Sequence, residues 1–421
     1  MKPRYRNLAA AAAALCMTAT LTGCGSLTGS NEVTLRLVAA DYGDNPSNSS
    51  KKYWEELAAA FTAANPGIKV EVSVYSWEEV DAKVAEMDKA GKAPDIAQIG
   101  AYADYAAADK LYSTDQLLSV TTEADFLEPL AEAGKIRRIQ YGMPFVSSTR
   151  LLFYNKQLFD KAGVTAAPTT WAELEAAAKK LKGTAKTPFA LPLGREEAQA
   201  ETMMWLLSGG GGYVDSDETY SIDSAENTKT LTWVKEHLVD AGLTGATAPW
   251  TLNRQDAFDA FARGEVGMLN GHPTLMKQAA AKGVKFGMVP MPTQDGREQP
   301  TMGVADWVMA FKSGGHPEAS GKFLDFMYEA KNVTAFTSTY DLLPVTTSGY
   351  RAMQSAKGGG SDLRTFLNAL PGSRLYPVGK KSWAQVSEDI KQNIGKAVQP
   401  TGNPDTTLDS IAQTARRNDT R

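Results

Sequence analysis

The groups with which this chain of 421 residues could hold a metal or form a covalent intermediate are few: two cysteines and three histidines. Cys16 and Cys24 both lie near the N-terminus, and His237, His272 and His316 stand at no metal-ligand spacing. Zinc chemistry has little to build on, and no cofactor motif is present. No Gly-x-Ser-x-Gly elbow, His-Glu-x-x-His pair or Walker-type loop occurs; the common hydrolase, metalloprotease and nucleotide-binding signatures are thereby missing. Gly209–Gly212 reads as a turn, because no Gly-Lys-Ser/Thr follows it. Two opposed carboxylates would suffice for glycoside hydrolysis, yet nothing in their spacing singles out a pair.

What the chain does offer is aromatic and polar side chains at the ends of predicted elements: Asp41, Trp77, Tyr102, Trp205, Trp250, Asp306, Trp307 and Tyr340. Aromatic faces stack on the C–H face of a sugar, while carboxylates and amides hydrogen-bond its hydroxyls. Trp54, Trp171 and Trp233 fall on helices and read as core. Trp307, beside Asp306 and ahead of the apolar run Val308–Phe311, reads as a binding residue, and Trp250 stands between the two readings. His272, in Asn270-Gly271-His272-Pro273, reads as a hydrogen-bonding turn histidine rather than a general base.

The elements that must position these residues alternate between strand and helix. Val33–Val38, Ile68–Val74 and Pro94–Ile99 read as strands, separated by helices at Lys51–Ala64 and Trp77–Ala90. Later strands are expected in two pieces of Gln140–Tyr154 around Pro144, at Tyr220–Asp223, Val266–Leu269 and Phe286–Pro290, and at Val308–Phe311. Thr170 and Glu173 form a capping-box pattern that starts a helix running to Leu181. Helices follow at Ala225–Asp240 and Arg254–Arg263, and the chain from Pro317 onward reads as mostly helical. This alternation predicts an α/β fold with mostly parallel sheets flanked by helices. The length exceeds the usual ~100–200 residues of one domain, so two lobes are expected. No linker separates them, which points to a chain that crosses between lobes more than once.

The N-terminus adds a location. Lys2, Arg4 and Arg6 precede an apolar run from Leu8 to Leu21, and Leu21-Thr22-Gly23-Cys24 follows. The run is short for a membrane span and has the order of a secretory signal peptide, and its ending resembles the bacterial lipobox. The reading is a lipoprotein signal peptide over 1–23, lipidation of Cys24, a tether over 24–32, and an extracytoplasmic protein held to the membrane by lipid. The net charge of −4 and the lack of any basic run longer than a pair such as Arg416-Arg417 argue against nucleic acid as a partner.

Segments spread over most of the chain resemble extracellular solute-binding lipoproteins of carbohydrate-uptake ABC transporters, the family of maltose-binding protein. They include Phe61–Val70, Ala93–Ile96, Tyr141–Phe145, Leu152–Gly163, Pro168–Leu174, Ala257–Met268 and Met288–Pro292. The resemblance implies a two-lobed periplasmic-binding-protein fold, with 33–117 plus about 265–312 in one lobe and about 118–264 plus 313–421 in the other. It implies a monomer that binds a small solute, a sugar or oligosaccharide, between the lobes and delivers it to a permease without chemistry. A non-sugar solute of the same fold, or a secreted glycosidase, are the rival readings. By motif position the resemblance places Asp41, Tyr102, Ser147, Glu201, Trp205, His272, Asp306 and Trp307 at the ligand; Trp77 and Trp250 complete the expected site.

Overall fold

A computed structural model describes residues 32–43, 47–77, 79–355 and 361–419. The expected signal segment and Cys24 lie outside the described residues. Eleven strands are present among those described: β1 Val33–Ala40, β2 Ile68–Tyr75, β3 Ile96–Ile99, β4 Lys135–Ile136, β5 Ile139–Gln140, β6 Met143–Thr149, β7 Leu151–Asn155, β8 Thr187–Ala190, β9 Val266–Gly271, β10 Phe286–Val289 and β11 Gly303–Ala310. They form a five-stranded sheet in the order β2-β1-β3-β11-β6, a four-stranded sheet in the order β10-β7-β9-β8, and the β4–β5 hairpin. In the first sheet β1 runs parallel to β2 and β3, and β11 runs antiparallel to β3 and β6. In the second, β8 is parallel to β9 while β7 is antiparallel to both its neighbours.

The local causes are readable in the residues. The helix Lys51–Ala64 buries Trp54, Leu57, Ala58 and Phe61, a spacing of 3, 4 and 7 that aligns them on one face. It stops where the Asn65 side chain bonds the Phe61 carbonyl and Gly67 takes a φ of 102°, a backbone that favours glycine. The capping box forms as its pattern predicts: Thr170 Oγ1 accepts from Glu173 N, and the Glu173 carboxylate accepts from Thr170 N. Burying each large apolar side chain on such a face contributes about 1.5–3 kcal/mol.

Each sheet has its own aromatic packing. Trp54 stacks on Phe145 at 5.0 Å on one face of the first sheet, and Tyr102, Trp307 and Phe311 fill the other. Trp171, Trp205, Trp233 and Phe189 pack together in the second lobe. The two interiors meet through the helix Ser361–Ala369, where Phe366 lies 6.0 Å from Phe153 and its carbonyl accepts from Thr149 Oγ1.

The chain passes between lobes three times. Arg150 alone separates β6 from β7; residues 290–302 lead from β10 to β11; residues 373–382 lead to the helix Trp383–Asn393. The three passages lie side by side. Thr301 Oγ1 donates to Arg150 O at 2.6 Å, Arg374 N to Thr301 O at 2.9 Å, and Gly303 N to Arg374 O at 2.8 Å.

Four expectations change. Of the segment 265–312, assigned to the first lobe, only β11 joins the first sheet; β9 and β10 hydrogen-bond into the second, because β7 pairs with both. Conversely β6, assigned to the second lobe, lies in the first sheet. The helix expected from Trp77 begins at Val80, which leaves Trp77 in a turn. The stretch Tyr220–Asp223 makes only an isolated bridge from Tyr220 to Val214. The strand expected from Val308 starts at Gly303, so Asp306 and Trp307 lie within it.

Candidate functional site

Where β1 ends, Asp41 and Tyr42 take different roles. The Asp41 carboxylate accepts from Gly43 N, Ser50 N and the Ser49 hydroxyl at 2.7–3.0 Å. Burial alone would raise its pKa, but these bonds outweigh that and hold it below the ordinary value. Asp41 is thus committed to folding its own loop. Tyr42 donates from its hydroxyl to Asp306 Oδ2 at 2.7 Å and accepts from Gln98 Nε2 at 3.0 Å, while Gln98 Oε1 accepts from Ala40 N. The ring of Tyr42 is edged by Trp77 at 5.4 Å and by Phe336 at 5.0 Å, with Tyr340 at 5.9 Å. A groove of about 1270 Å³ opens beside it, lined by Asp41, Ser49, Tyr53, Ser76, Trp77 and Tyr340 among others.

Asp306 owes its position to an irregularity between β11 and β6. Asp306 pairs with Val146 and Trp307 with Pro144, so Phe145 is an extra residue on β6. Pro144 has no N–H to give to the ladder, and a bulge is the usual accommodation. The second oxygen of Asp306 takes no hydrogen bond among the described residues. Burial pushes this carboxyl up to about 6; the Tyr42 hydroxyl partly offsets that.

The second lobe meets this group through Arg150. Its guanidinium donates to Ser148 Oγ at 3.1 Å and to Glu197 Oε1 at 3.0 Å. Glu197 also pairs with Arg254 Nε at 2.6 Å, and Arg254 reaches Glu196 at 2.5 Å. Arg254 stands 5.0 Å over the Phe258 ring, which lies 5.0 Å from His272. Burial, with the charges of Arg150 and Arg254, keeps the His272 pKa well below the ordinary value, so the ring is neutral at pH 7. Glu201 accepts from Trp205 Nε1 and Asn270 Nδ2, both at 2.9 Å. Burial pushes its carboxyl up to about 8, against the pull of those two donors. A cavity of about 20 Å³ lies among Arg150, Glu201, Asn270 and His272, room for one water, and Asn270 Oδ1 is buried there with no hydrogen-bond partner among the described residues.

The arrangement supplies neutral donors and acceptors beside a charge network that balances itself, flanked by aromatic faces. It is suited to hydrogen-bonding a polar molecule. Among the described residues no group of three or more His, Cys, Asp or Glu could hold a metal ion.

Of the expected contacts, Asp41 and Trp77 line the groove, Asp306 stands beside it, and Glu201 and His272 line the second-lobe cavity. The others lie elsewhere. Tyr102 and Trp307 are fully buried against each other at 5.3 Å, and Tyr102 donates to Ala133 O; a Cβ on Gly142 would come within 2.6 Å of Tyr102, so the packing there is closed. Trp205 is core and serves by holding Glu201. Ser147 is buried and donates to the Leu343 and Pro344 carbonyls. Trp250 packs against Gly395 in the turn Ile394–Val398, away from both cavities. Sequence reasoning missed Tyr42, Gln98, Arg150, Glu197, Arg254 and Asn270. Arg150 alone carried a signal: a lone arginine between the apolar runs Pro144–Val146 and Leu151–Phe153.

The profile of the bacterial extracellular solute-binding proteins matches residues 45–334, and the chain belongs to that family. A Brucella abortus (strain 2308) protein named as a binding protein is 29% identical over 395 residues, covering 90% of this chain and 92% of its own. The sn-glycerol-3-phosphate-binding periplasmic protein of Salmonella typhimurium is 26% identical over 352 residues, 75% of this chain and 78% of that one. Among solved structures, the cyclic α-maltosyl-1,6-maltose binding protein of Arthrobacter globiformis superposes with a TM-score of 0.78 at 20% identity, covering 92% of this chain and 98% of that one. The acarbose-binding GacH receptor of Streptomyces glaucescens gives 0.75 at 22%, covering 92% and 99%. The fold is the two-lobed one of periplasmic binding proteins, and substrate binding is the family's role.

Proposed function

We propose that this protein captures a sugar or oligosaccharide between its lobes and delivers it, unchanged, to the permease of an ABC importer. The carrying observation is that Asp306, bonded to Tyr42 in one lobe, feels the charge of Arg150, which lines the second-lobe pocket together with Asn270 and His272, while Trp77 and Tyr340 line the groove beside Tyr42. A solute touching both sides favours the closed arrangement through its extra contacts there. Arg150 and Arg254 are already engaged by Glu196 and Glu197, which favours a neutral polyhydroxy ligand over a phosphate. The chain acts as a monomer, held outside the cytoplasmic membrane by acyl chains on Cys24.

A thermal-shift screen of mono- and oligosaccharides, sn-glycerol 3-phosphate, amino acids and polyamines tests the assignment, since ligand binding raises stability by mass action. Stabilisation by a neutral saccharide, recovered intact, supports it. Stabilisation by glycerol phosphate or a polyamine alone refutes the solute class, and turnover of a saccharide refutes the role.

A further inference from the structure

The third passage between lobes, residues 373–382, runs between two hairpin tips of opposite charge. The first-lobe tip is Arg137-Arg138, the turn between β4 and β5; both residues are exposed, with φ of 51° and 70°. Two-residue turns of this left-handed kind ordinarily carry Asn and Gly. The second-lobe tip is the exposed stretch 215–219, closed by the bridge from Val214 to Tyr220, with Glu218 at a φ of 58°. Strained backbone at a non-glycine residue persists where something else requires it. Among the described residues, the side chains of Arg137, Arg138, Asp217 and Glu218 make no hydrogen bond or ion pair.

The passage touches the base of both hairpins. A Cβ on Gly379 would stand 2.6 Å from the Lys135 carbonyl at the base of the basic hairpin. The next residue, Lys380, sets its Nζ 5.2 Å over the ring of Tyr220, where the acidic hairpin ends, and the Tyr220 hydroxyl lies 3.1 Å from Ser382 Oγ. The Tyr102 hydroxyl, 3.5 Å from that same Lys135 carbonyl, is raised in pKa by burial and by the charge of Glu218. The second-lobe carboxylate is therefore within electrostatic reach of the first-lobe hairpin.

We propose that Arg137-Arg138 and Asp217-Glu218 form an electrostatic latch across the lobes, which biases the ligand-free protein toward the arrangement in which the two tips meet. Exposed ion pairs are individually weak and are screened by salt. They matter here because they act on a balance between lobe arrangements that differ little in free energy. The latch does not depend on which solute the protein carries.

Single-molecule energy transfer on the full mature chain tests this, with one dye in each lobe at Lys89→Cys and Lys229→Cys in a Cys24→Ala background. Arg137→Glu with Arg138→Glu should change the ratio of the two lobe arrangements about twofold to tenfold at low salt. The change should vanish in 1 M salt, and the wild-type ratio should return when Asp217→Lys and Glu218→Lys are added. Arg137→Gly with Arg138→Gly suits the turn, so it keeps the hairpin and should abolish the salt dependence of the ratio. Unchanged populations after reversal at one tip, no restoration by the second reversal, or an effect that persists at 1 M salt would overturn the latch.

Discussion

Glu201→Gln isolates one proton in the second lobe. The carboxyl is 6% exposed, and both protein donors reach a single oxygen, Oε1. Glutamine can accept the same two bonds through its amide oxygen while its NH₂ replaces the acid's O–H. Raising the folded-state pKa from 4.5 to about 8 means that the native state keeps a proton the unfolded chain has lost. The stability this proton contributes is complete below pH 4.5 and is lost as pH rises to about 8. At about 1.4 kcal/mol per pH unit the full loss comes to ~5 kcal/mol. The shift to about 8 already includes the pull of Arg150, whose guanidinium favours the ionised form. Urea denaturation of wild type and variant at pH 5, 6, 7 and 8, followed by tryptophan fluorescence, measures the difference. The two proteins should match within ~1 kcal/mol at pH 5, and the variant should gain steadily to become ~3–5 kcal/mol more stable at pH 8. A difference that stays flat across that range would show that Glu201 is ionised in the native protein, and the reasoning fails.

Trp307→Ala should lower the ligand-free stability by ~3–5 kcal/mol, because its ring is wholly enclosed with Tyr102; a melting temperature near wild type would refute that. Asp306→Asn should weaken binding of the saccharide found in the screen by ~1.5–3 kcal/mol. Its ligand-free stability at pH 7 should not fall, since the carboxyl held at about 6 is costly to ionise; calorimetric titration and a melt on the same sample read both. Cys24→Ala should release the protein into the medium, since stable anchoring needs more than one acyl chain's marginal binding; membrane retention of that variant would refute lipid attachment there.

The sequence was most legible where local chemistry decides. The Thr170–Glu173 cap, the stop at Asn65-Pro66-Gly67 and the apolar face of Lys51–Ala64 need only neighbouring residues to be understood. It was least legible where a residue's meaning comes from a distant partner. Asp41 and Asp306 look alike as carboxylates near strand ends, yet one is saturated by its own loop and the other meets Tyr42 264 positions away. Trp307 misled because Asp306 interrupts the apolar run, which hid the true start of β11 at Gly303. The lobe division erred for the same reason: β9 looks equally able to join either sheet until its pairing with β7 is known.

The strand order of the first sheet sets a timetable for synthesis. β11, the last strand to be made, lies between β3 and β6 and pairs with both. Until Ala310 has left the ribosome, β3 has an open edge and β6 has no partner in this sheet. Pairings so distant in sequence are slow to find. Under the export proposed above, that delay would keep the first lobe from closing while the leading end crosses the membrane. The same open edges would expose a stalled chain to aggregation until β11 arrives to cover both.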